Sequence, residues 1–290
     1  MIRRLVPTGS VLAIALGLCA AAEAAPPALE FVAASAETLS EPHDIVLSPD
    51  GSRLYVADNG KDRIVVLDPD SLARRGVFGL GEVSQPHDVV FDAQGLLLVA
   101  DTGNSRIAVY RVHDDGGTLV GELTGSIRRP EGVDVHPDGR VIASGAGSGN
   151  IAVFRDGREV LERGGFSAPH DVQLDSSGRI WLADSNNDRM VRLDDDLEVV
   201  QVIEGAPYAF NGPRYMDFDD AGRLFIADKY ANAVKIVDPA GRLLQILGTP
   251  QAGRGEGVFD RPEGVEIKGD TVWFSDTYND RIVRYRMRRR

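Results

Sequence analysis

The chain has 290 residues, of which 43% are hydrophobic and 26% are charged, and its formal net charge is −12. A chain of this length can bury roughly three quarters of the surface that it exposes when unfolded, so a large core is available. The acidic balance argues against nucleic-acid binding, because the neutralisation of phosphates requires a basic face.

The first residues have the pattern of a secretory signal peptide. Two arginines precede an apolar run over residues 11–22, and Ala22 and Ala24 then flank a single position. A basic region, a short apolar core and an A-x-A-like site are typical of a cleavable leader, and the run is too short to span a membrane. We predict that residues 1–24 are removed and that residues 25–290 form one exported domain, periplasmic or secreted, with no transmembrane span.

One pattern recurs six times after the leader: a proline, a polar pair, an alternating strand, a glycine turn, a second strand and a third strand. The starting prolines are Pro42, Pro86, Pro130, Pro169, Pro213 and Pro262. The intervals between them are 44, 44, 39, 44 and 49 residues. A regular period of this size indicates a repeat architecture, and short alternating strands between glycine turns indicate that it is all-β.

These repeats predict a six-bladed β-propeller of four-stranded blades, because radial stacking of such units hides most sheet edges. The sixth repeat ends after its third strand, residues 282–285, whereas residues 28–33 form a strand that precedes the first repeat. Pairing of these two segments would complete the last blade and close the ring.

A strand-ending aspartate and a later arginine recur together in four repeats. The pairs are Asp58 with Arg63, Asp101 with Arg106, Asp184 with Arg189, and Asp276 with Arg281. Since one active site does not need four copies, we interpret the pairs as charge-assisted hydrogen bonds that tie the loops. The third repeat has the glycine-rich run 144–150 instead, and the fifth has Val234 in place of the arginine. The glycine-rich run precedes a strand rather than a helix, so it predicts no nucleotide cofactor.

The repeated sequence motifs resemble those of a known protein family. Pro-x-Gly/Asp-Val-x-Val-Asp-x-x-Gly, then Val-Ala-Asp, then Asn-x-Arg-Ile is similar to the pattern of NHL repeats, and it covers essentially the whole mature chain. The resemblance implies a six-bladed propeller of NHL-type blades.

The position after each starting proline carries side chains that differ from blade to blade. In ring order the residues are His43, His87, Glu131, His170, Arg214 and Glu263. The residues that follow them are Asp44, Asp88, Gly132, Asp171, Tyr215 and Gly264. Because the first strand of a blade lines the central channel, we expect these side chains to converge at one mouth of the channel. Imidazoles and carboxylates that converge in this way suit a metal ion.

Two ligand sets fit this ring. Alternate blades offer His87, His170 and Glu263, whereas an all-histidine set would add His43 in place of the carboxylate. Zinc or another divalent transition metal is the first candidate ion, and calcium is the second. We predict that the channel aspartates orient the imidazoles, and that Glu131 and Tyr215 line the ligand channel. The alternative is a polar mouth in which these groups pair with one another through water.

Three Pro-His steps around one channel are similar to those of the propeller lyase that completes peptide amidation, peptidyl-α-hydroxyglycine α-amidating lyase. In that family three such histidines hold zinc, a tyrosine two residues beyond a strand-ending aspartate acts as base, and arginines position the substrate. The resemblance implies Tyr230 or Tyr278 as the base and Arg214 as a substrate-positioning group. This chain departs from the family in the blades that carry its histidines. It also lacks the arginine that directly follows a strand-ending aspartate, where it has Asn59, Thr102, Ser185, Lys229 and Thr277.

The sequence therefore supports two functions. The first is an exported, monomeric binding module that holds a small molecule, peptide or protein at the channel mouth, with a metal site there. The second is a metal-dependent lyase or hydrolase that uses the same residues.

Overall fold

The computed structural model describes residues 26–36 and 39–288, so the predicted leader lies outside the described residues. The described residues form 24 strands, which make six antiparallel sheets of four strands each. These sheets are the six blades of a propeller, so the predicted fold class is confirmed. Among the described helices, none has the length and apolar character that crossing a membrane would require.

The first three blades follow one another along the chain, from the channel outwards. Blade one contains β2 (Pro42–Leu47), β3 (Leu54–Asp58), β4 (Arg63–Leu67) and β5 (Arg74–Phe78). Blade two contains β6 (Pro86–Phe91), β7 (Leu96–Asp101), β8 (Arg106–His113) and β9 (Gly116–Leu123). Blade three contains β10 (Pro130–Val135), β11 (Val141–Gly145), β12 (Asn150–Arg155) and β13 (Arg158–Gly164).

The last three blades repeat this order until the end of the chain. Blade four contains β14 (Pro169–Leu174), β15 (Ile180–Asp184), β16 (Arg189–Leu193) and β17 (Val199–Glu204). Blade five contains β18 (Pro213–Phe218), β19 (Leu224–Asp228), β20 (Ala233–Val237) and β21 (Leu243–Gly248). Blade six contains β22 (Val265–Lys268), β23 (Thr271–Asp276), β24 (Arg281–Arg288) and, as its outer strand, β1 (Ala28–Ala34).

The ring closes through the two ends of the chain, as predicted. β1 pairs antiparallel with β24, and Phe31 lies opposite Tyr285 in this register. Their rings also contact each other edge to face, with centroids 5.6 Å apart. The N-terminal strand thus supplies the edge that blade six would otherwise leave unpaired.

The hydrophobic core is divided among the interfaces between neighbouring blades. Each of six clusters combines buried side chains from two successive blades. Between blades one and two, for example, Tyr55, Phe78 and Tyr110 pack with centroids 5.2 to 6.3 Å apart. Burial of apolar surface contributes roughly 25 cal/mol per Å², so each blade is held mainly by its two neighbours.

The recurring aspartates tie the loops above the blades, which confirms their structural interpretation. Arg106 Nε donates to Asp101 at 2.7 Å, and the same carboxylate accepts the Ser84 N–H at 2.7 Å. The other three pairs have Nε–O distances of 2.6 to 2.7 Å. In blade five, Lys235 replaces the arginine and forms a buried ion pair with Asp228. The place of the arginine is Ala233, which lies opposite Asp228 as Arg106 lies opposite Asp101, so the assignment of this place to Val234 was wrong. The sequence pattern missed Lys235 because it lies two positions beyond Ala233.

Candidate metal centre at the channel mouth

The six ring residues converge at the channel mouth. All six are at most 8% exposed: His43, His87, Glu131, His170, Arg214 and Glu263. The imidazole centroid of His87 lies 4.4 Å from that of His43 and 5.8 Å from that of His170. The shared position after each starting proline directs these side chains inwards.

Three of these residues form a set of donors suited to a metal ion. The ligand atoms of His87, Glu131 and His170 all lie within 4.8 Å of one another. Glu131 Oε1 is 3.8 Å from His87 Nε2, and Glu131 Oε2 contacts His170 Nδ1. Two imidazoles and one carboxylate are a common ligand set for zinc and other divalent transition metals. The carboxylate closest to both imidazoles therefore comes from blade three, and not from Glu263 of blade six as the alternate-blade set required.

Backbone carbonyls orient two of the imidazoles. Nδ1 of His43 lies 2.9 Å from the carbonyl oxygen of Glu41, and Nδ1 of His87 lies 2.9 Å from that of Gln85. Glu41 and Gln85 adopt positive φ values of 47° and 49°. A proton on Nδ1 that is donated to the carbonyl leaves the Nε2 lone pair facing the channel, as a metal ligand needs.

The channel aspartates have a different role from the one that we predicted. Asp88 accepts the N–H of Val133 at 2.6 Å, and Asp171 accepts the N–H of Met216 at 2.8 Å. The prediction that Asp44, Asp88 and Asp171 orient the imidazoles is therefore wrong for His43 and His87. Asp88 and Asp171 instead link each first strand to that of the next blade.

A second layer of carboxylates makes the same kind of link deeper in the channel. Asp134 accepts the N–H of Leu174 at 2.7 Å, and Asp217 accepts the N–H of Ile267 at 2.6 Å. A small cavity of about 50 Å³ is lined by Asp88 and Asp171 of the first layer and by Asp217 of the second. Burial raises the pKa of Asp134 and of Asp217 to about 7.

The protonation states of His87 and Glu131 favour metal binding. Burial lowers the pKa of His43, and it lowers the pKa of His87 to about 3. Burial also opposes the charge of Glu131, but the neighbouring His170 and His87 outweigh it, and its pKa falls to about 2. At neutral pH, His87 is thus neutral and Glu131 is ionised, which are the states in which each binds a metal.

The opposite side of the ring contains an ion pair that the sequence analysis did not predict. Lys229 Nζ lies 2.5 Å from Glu263 Oε1, and Glu263 Oε2 lies 3.2 Å from His43 Nε2. Lys229 begins the 3₁₀ turn Lys229–Ala231, directly after the strand-ending Asp228. The signal was present in the sequence, since this is the position where the amidating-lyase family has its arginine.

The remaining predicted residues lie around this ring. Nη1 of Arg214 is 2.7 Å from His170 Nδ1, and the hydroxyl of Tyr215 donates to the Glu131 carbonyl oxygen at 2.8 Å. Tyr230 and Tyr278 are 49% and 42% exposed, and their ring centroids lie 5.7 and 5.4 Å from Lys229 Nζ. The two tyrosines thus lie near the channel mouth, and the role of either as a base stays a prediction.

Comparison with known proteins agrees with this architecture. The model of the NHL repeat matches residues 83–110, which run from just before β6 into β8. The chain is a six-bladed propeller with an NHL repeat. No curated protein matches the sequence.

Solved structures with the same fold carry different functional names. Virginiamycin B lyase from Staphylococcus aureus is 14% identical, with a TM-score of 0.63 over 90% of this propeller and 99% of its own chain. An auxiliary nutrient binding protein from Bacteroides ovatus is 14% identical, with a TM-score of 0.67 over 87% of this chain and 70% of its own. A protein of unknown function from Bacteroides thetaiotaomicron is 14% identical, with a TM-score of 0.71 over 91% of this chain and 73% of its own. At these identities the likeness concerns the fold alone, and function has to be argued from the site.

Proposed function

We propose that this propeller binds one divalent transition-metal ion at its channel mouth through His87, Glu131 and His170, and that a small molecule binds beside the ion from the solvent side. The observation that carries the proposal is the buried donor set, in which a neutral imidazole and an ionised carboxylate share one side of the ring. Without a metal ion, Arg214 beside His170 is a permanent positive charge that offsets the charge of this buried carboxylate, and a bound divalent cation would add to it.

The burial of the donor residues supports a small ligand or the end of a peptide rather than a broad protein surface. The donor residues are only 3 to 8% exposed, so a single group has to enter the ring to reach them. A bound divalent ion would supply Lewis acidity to an oxygen of that group. Arg214 beside His170 and Lys229 beside Glu263 would favour a ligand that carries negative charge.

A metal-dependent lyase is the second candidate function. It is favoured by the half-exposed Tyr230 and Tyr278 near the mouth, because such chemistry needs a group that accepts a proton near the metal. The fold that this chain shares with virginiamycin B lyase is compatible with that chemistry. The lyase differs from the binding module in one respect, since a variant that loses the metal would lose turnover as well as binding.

The test is the metal content of the mature protein, purified without chelators and reloaded with zinc or cobalt. We expect about one ion per chain in the natural protein and none in the His87→Ala/His170→Ala double variant. His113→Ala is the matched control, because His113 is exposed and lies far along β8 from the ring. A natural protein that stays free of metal after reloading would contradict the proposal.

We also propose that the protein is exported and cleaved near Ala25. The support is the basic, apolar and small-residue pattern of the leader. Intact mass spectrometry of the protein from a secreting host would give a mature chain that begins near this residue, whereas an uncleaved cytoplasmic chain would contradict export.

A further inference from the structure

The residue that follows each strand-ending aspartate usually links two blades. Asn59, Thr102, Ser185 and Thr277 each donate to the carbonyl oxygen of the next starting proline: Pro86, Pro130, Pro213 and Pro42. These are short polar side chains, and their reach matches the gap between neighbouring blades. The same position in blade five is Lys229, and its side chain extends into the ring instead.

The side chain of Lys229 contacts a fully buried carboxylate, that of Glu263. Glu263 is 0% exposed, and among the described residues neither of its oxygens accepts a hydrogen bond of good geometry. Its close contacts are Lys229 Nζ at 2.5 Å, His43 Nε2 at 3.2 Å and His170 Nε2 at 3.7 Å. A buried carboxylate without a cation is strongly destabilising, and Lys229 supplies a permanent cation in direct contact with Glu263.

The ring thus contains two overlapping arrangements of the same kind. Glu131 lies between His87 and His170, and Glu263 lies between His170 and His43. Each arrangement places one carboxylate between two imidazoles, and both are buried. They differ in that a lysine ammonium already contacts the carboxylate of the second.

The environment of Lys229 holds its ammonium in this place. The side chain is only 12% exposed, although lysine usually extends to water. Nζ lies 5.7 Å from the ring centroid of Tyr230 and 5.4 Å from that of Tyr278, within the range of cation–π attraction. A flexible lysine therefore has a defined position beside Glu263.

We propose that the ammonium of Lys229 occupies a second cation position in the ring, formed by Glu263 and His43, and thereby restricts the channel mouth to one metal ion. The inference rests on the proposed metal site at His87, Glu131 and His170. Lys229 is a positioning residue in this account, because it keeps His43 and Glu263 from binding metal and does not itself need to touch the ligand.

The test exchanges Lys229 for the residue that the repeat uses elsewhere. Lys229→Thr introduces the side chain of the equivalent Thr102 and Thr277, which suits the local fold and can reach the carbonyl oxygen of Pro262. Cobalt is titrated into the metal-free mature protein, and bound ions per chain are counted by elemental analysis after removal of the free ion. Lys229→Arg is the matched control that keeps a cation, and Lys229→Thr/Glu263→Gln removes the carboxylate as well. Circular dichroism checks that each variant is folded. If Lys229→Thr does not fold, Lys229→Met replaces it.

We expect one ion per chain in the natural protein and in Lys229→Arg, two in Lys229→Thr, and one again in the double variant. A count of one in Lys229→Thr, or of two in the natural protein, would overturn the inference. A second ion that persists in the double variant would also overturn it, because that ion would not depend on Glu263. If the natural protein binds no ion but Lys229→Thr binds one, the proposed function fails and the role of Lys229 stands; if neither binds cobalt, both fail.

Discussion

The hydroxyl of Tyr215 donates a hydrogen bond to the carbonyl oxygen of Glu131 at 2.8 Å, although 84 positions separate the two residues. Tyr215 belongs to blade five and Glu131 to blade three, so the contact passes over the intervening blade. The Tyr215 ring also packs edge to face on His170, with centroids 5.4 Å apart. One buried side chain thus braces two members of the candidate metal site.

Replacement of Tyr215 by Phe should weaken metal binding. The variant keeps the ring against His170 but removes the hydrogen bond that fixes the strand of Glu131. Because groups that orient ligands typically contribute 10- to 100-fold to affinity, we expect zinc affinity to fall by about 10-fold in a competition titration. Tyr208→Phe is the control, because the Tyr208 hydroxyl donates to the carbonyl oxygen of Gly241 and not to a ring residue. An unchanged affinity in Tyr215→Phe would contradict the bracing role.

Replacement of the two ring glutamates, Glu131 and Glu263, should have different effects on zinc affinity. Glu131→Gln removes the carboxylate that lies close to His87 and His170, so we expect at least about a 100-fold loss of zinc affinity. Glu263→Gln should keep a single bound ion, since Glu263 is paired with Lys229. Isothermal titration of both variants measures the difference. The opposite order would show that the alternate-blade set of the sequence analysis is the ligand set.

The repeated aspartates should contribute stability and not metal binding. Asp101 is fully buried and accepts hydrogen bonds from Ser84 and Arg106. Asp101→Ala leaves these donors without their acceptor, so the free energy of unfolding should fall by about 2 kcal/mol. Asp195→Ala is the control, because the Asp195 side chain is 76% exposed and should change stability by less than about 0.5 kcal/mol. Urea unfolding measures both, and loss of metal from folded Asp101→Ala would argue against a purely structural role.

The buried channel carboxylates should make stability depend on pH. The pKa of Asp134 is raised from 3.8 to about 7, mainly by burial, so the folded state binds more protons than the unfolded state between these values. Its contribution to stability is therefore full below about pH 4 and is lost as the pH rises towards 7. One such group changes the free energy of unfolding by at most about 1.4 kcal/mol per pH unit.

Asp134→Asn tests this pH dependence, because asparagine keeps an oxygen acceptor for the Leu174 N–H without a titrating group. Urea unfolding between pH 4.5 and pH 7.5 should show a smaller decline with pH in Asp134→Asn than in the natural protein. Asp195→Asn, which alters an exposed carboxylate, should keep the natural slope. Equal slopes in all three proteins would contradict the raised pKa of Asp134.

The periodic features of the molecule were predictable from the sequence. Six prolines at intervals of 39 to 49 residues identify the blades. Each blade packs against its two neighbours in the same way, so equivalent positions carry similar residues. The ring positions follow from that register, as does the pairing of β1 with β24. Repetition also separates the structural Asp–Arg pairs from the residues that vary around the channel.

The departures from the repeat were not predictable. Equivalent ring positions do not reveal which carboxylate lies nearest to the imidazoles, since the choice of Glu131 depends on side-chain conformation. Lys235 approaches Asp228 from the next strand, at a spacing that the repeat pattern does not contain. Lys229 occupies a regular repeat position, but the repeat gives no sign that its side chain reaches Glu263. The aspartates beside the histidines bind backbone amides of the next blade, and strand alternation alone does not show that preference.

The most direct test of the central claim is the anomalous scattering of zinc in a crystal of the mature protein. We predict one strong peak per chain, about 2.0 to 2.2 Å from a nitrogen of His87, a nitrogen of His170 and an oxygen of Glu131. A zinc-loaded crystal with no peak at the channel mouth, or with a peak bound by His43 and Glu263 while His87 and Glu131 contact only protein, would contradict it.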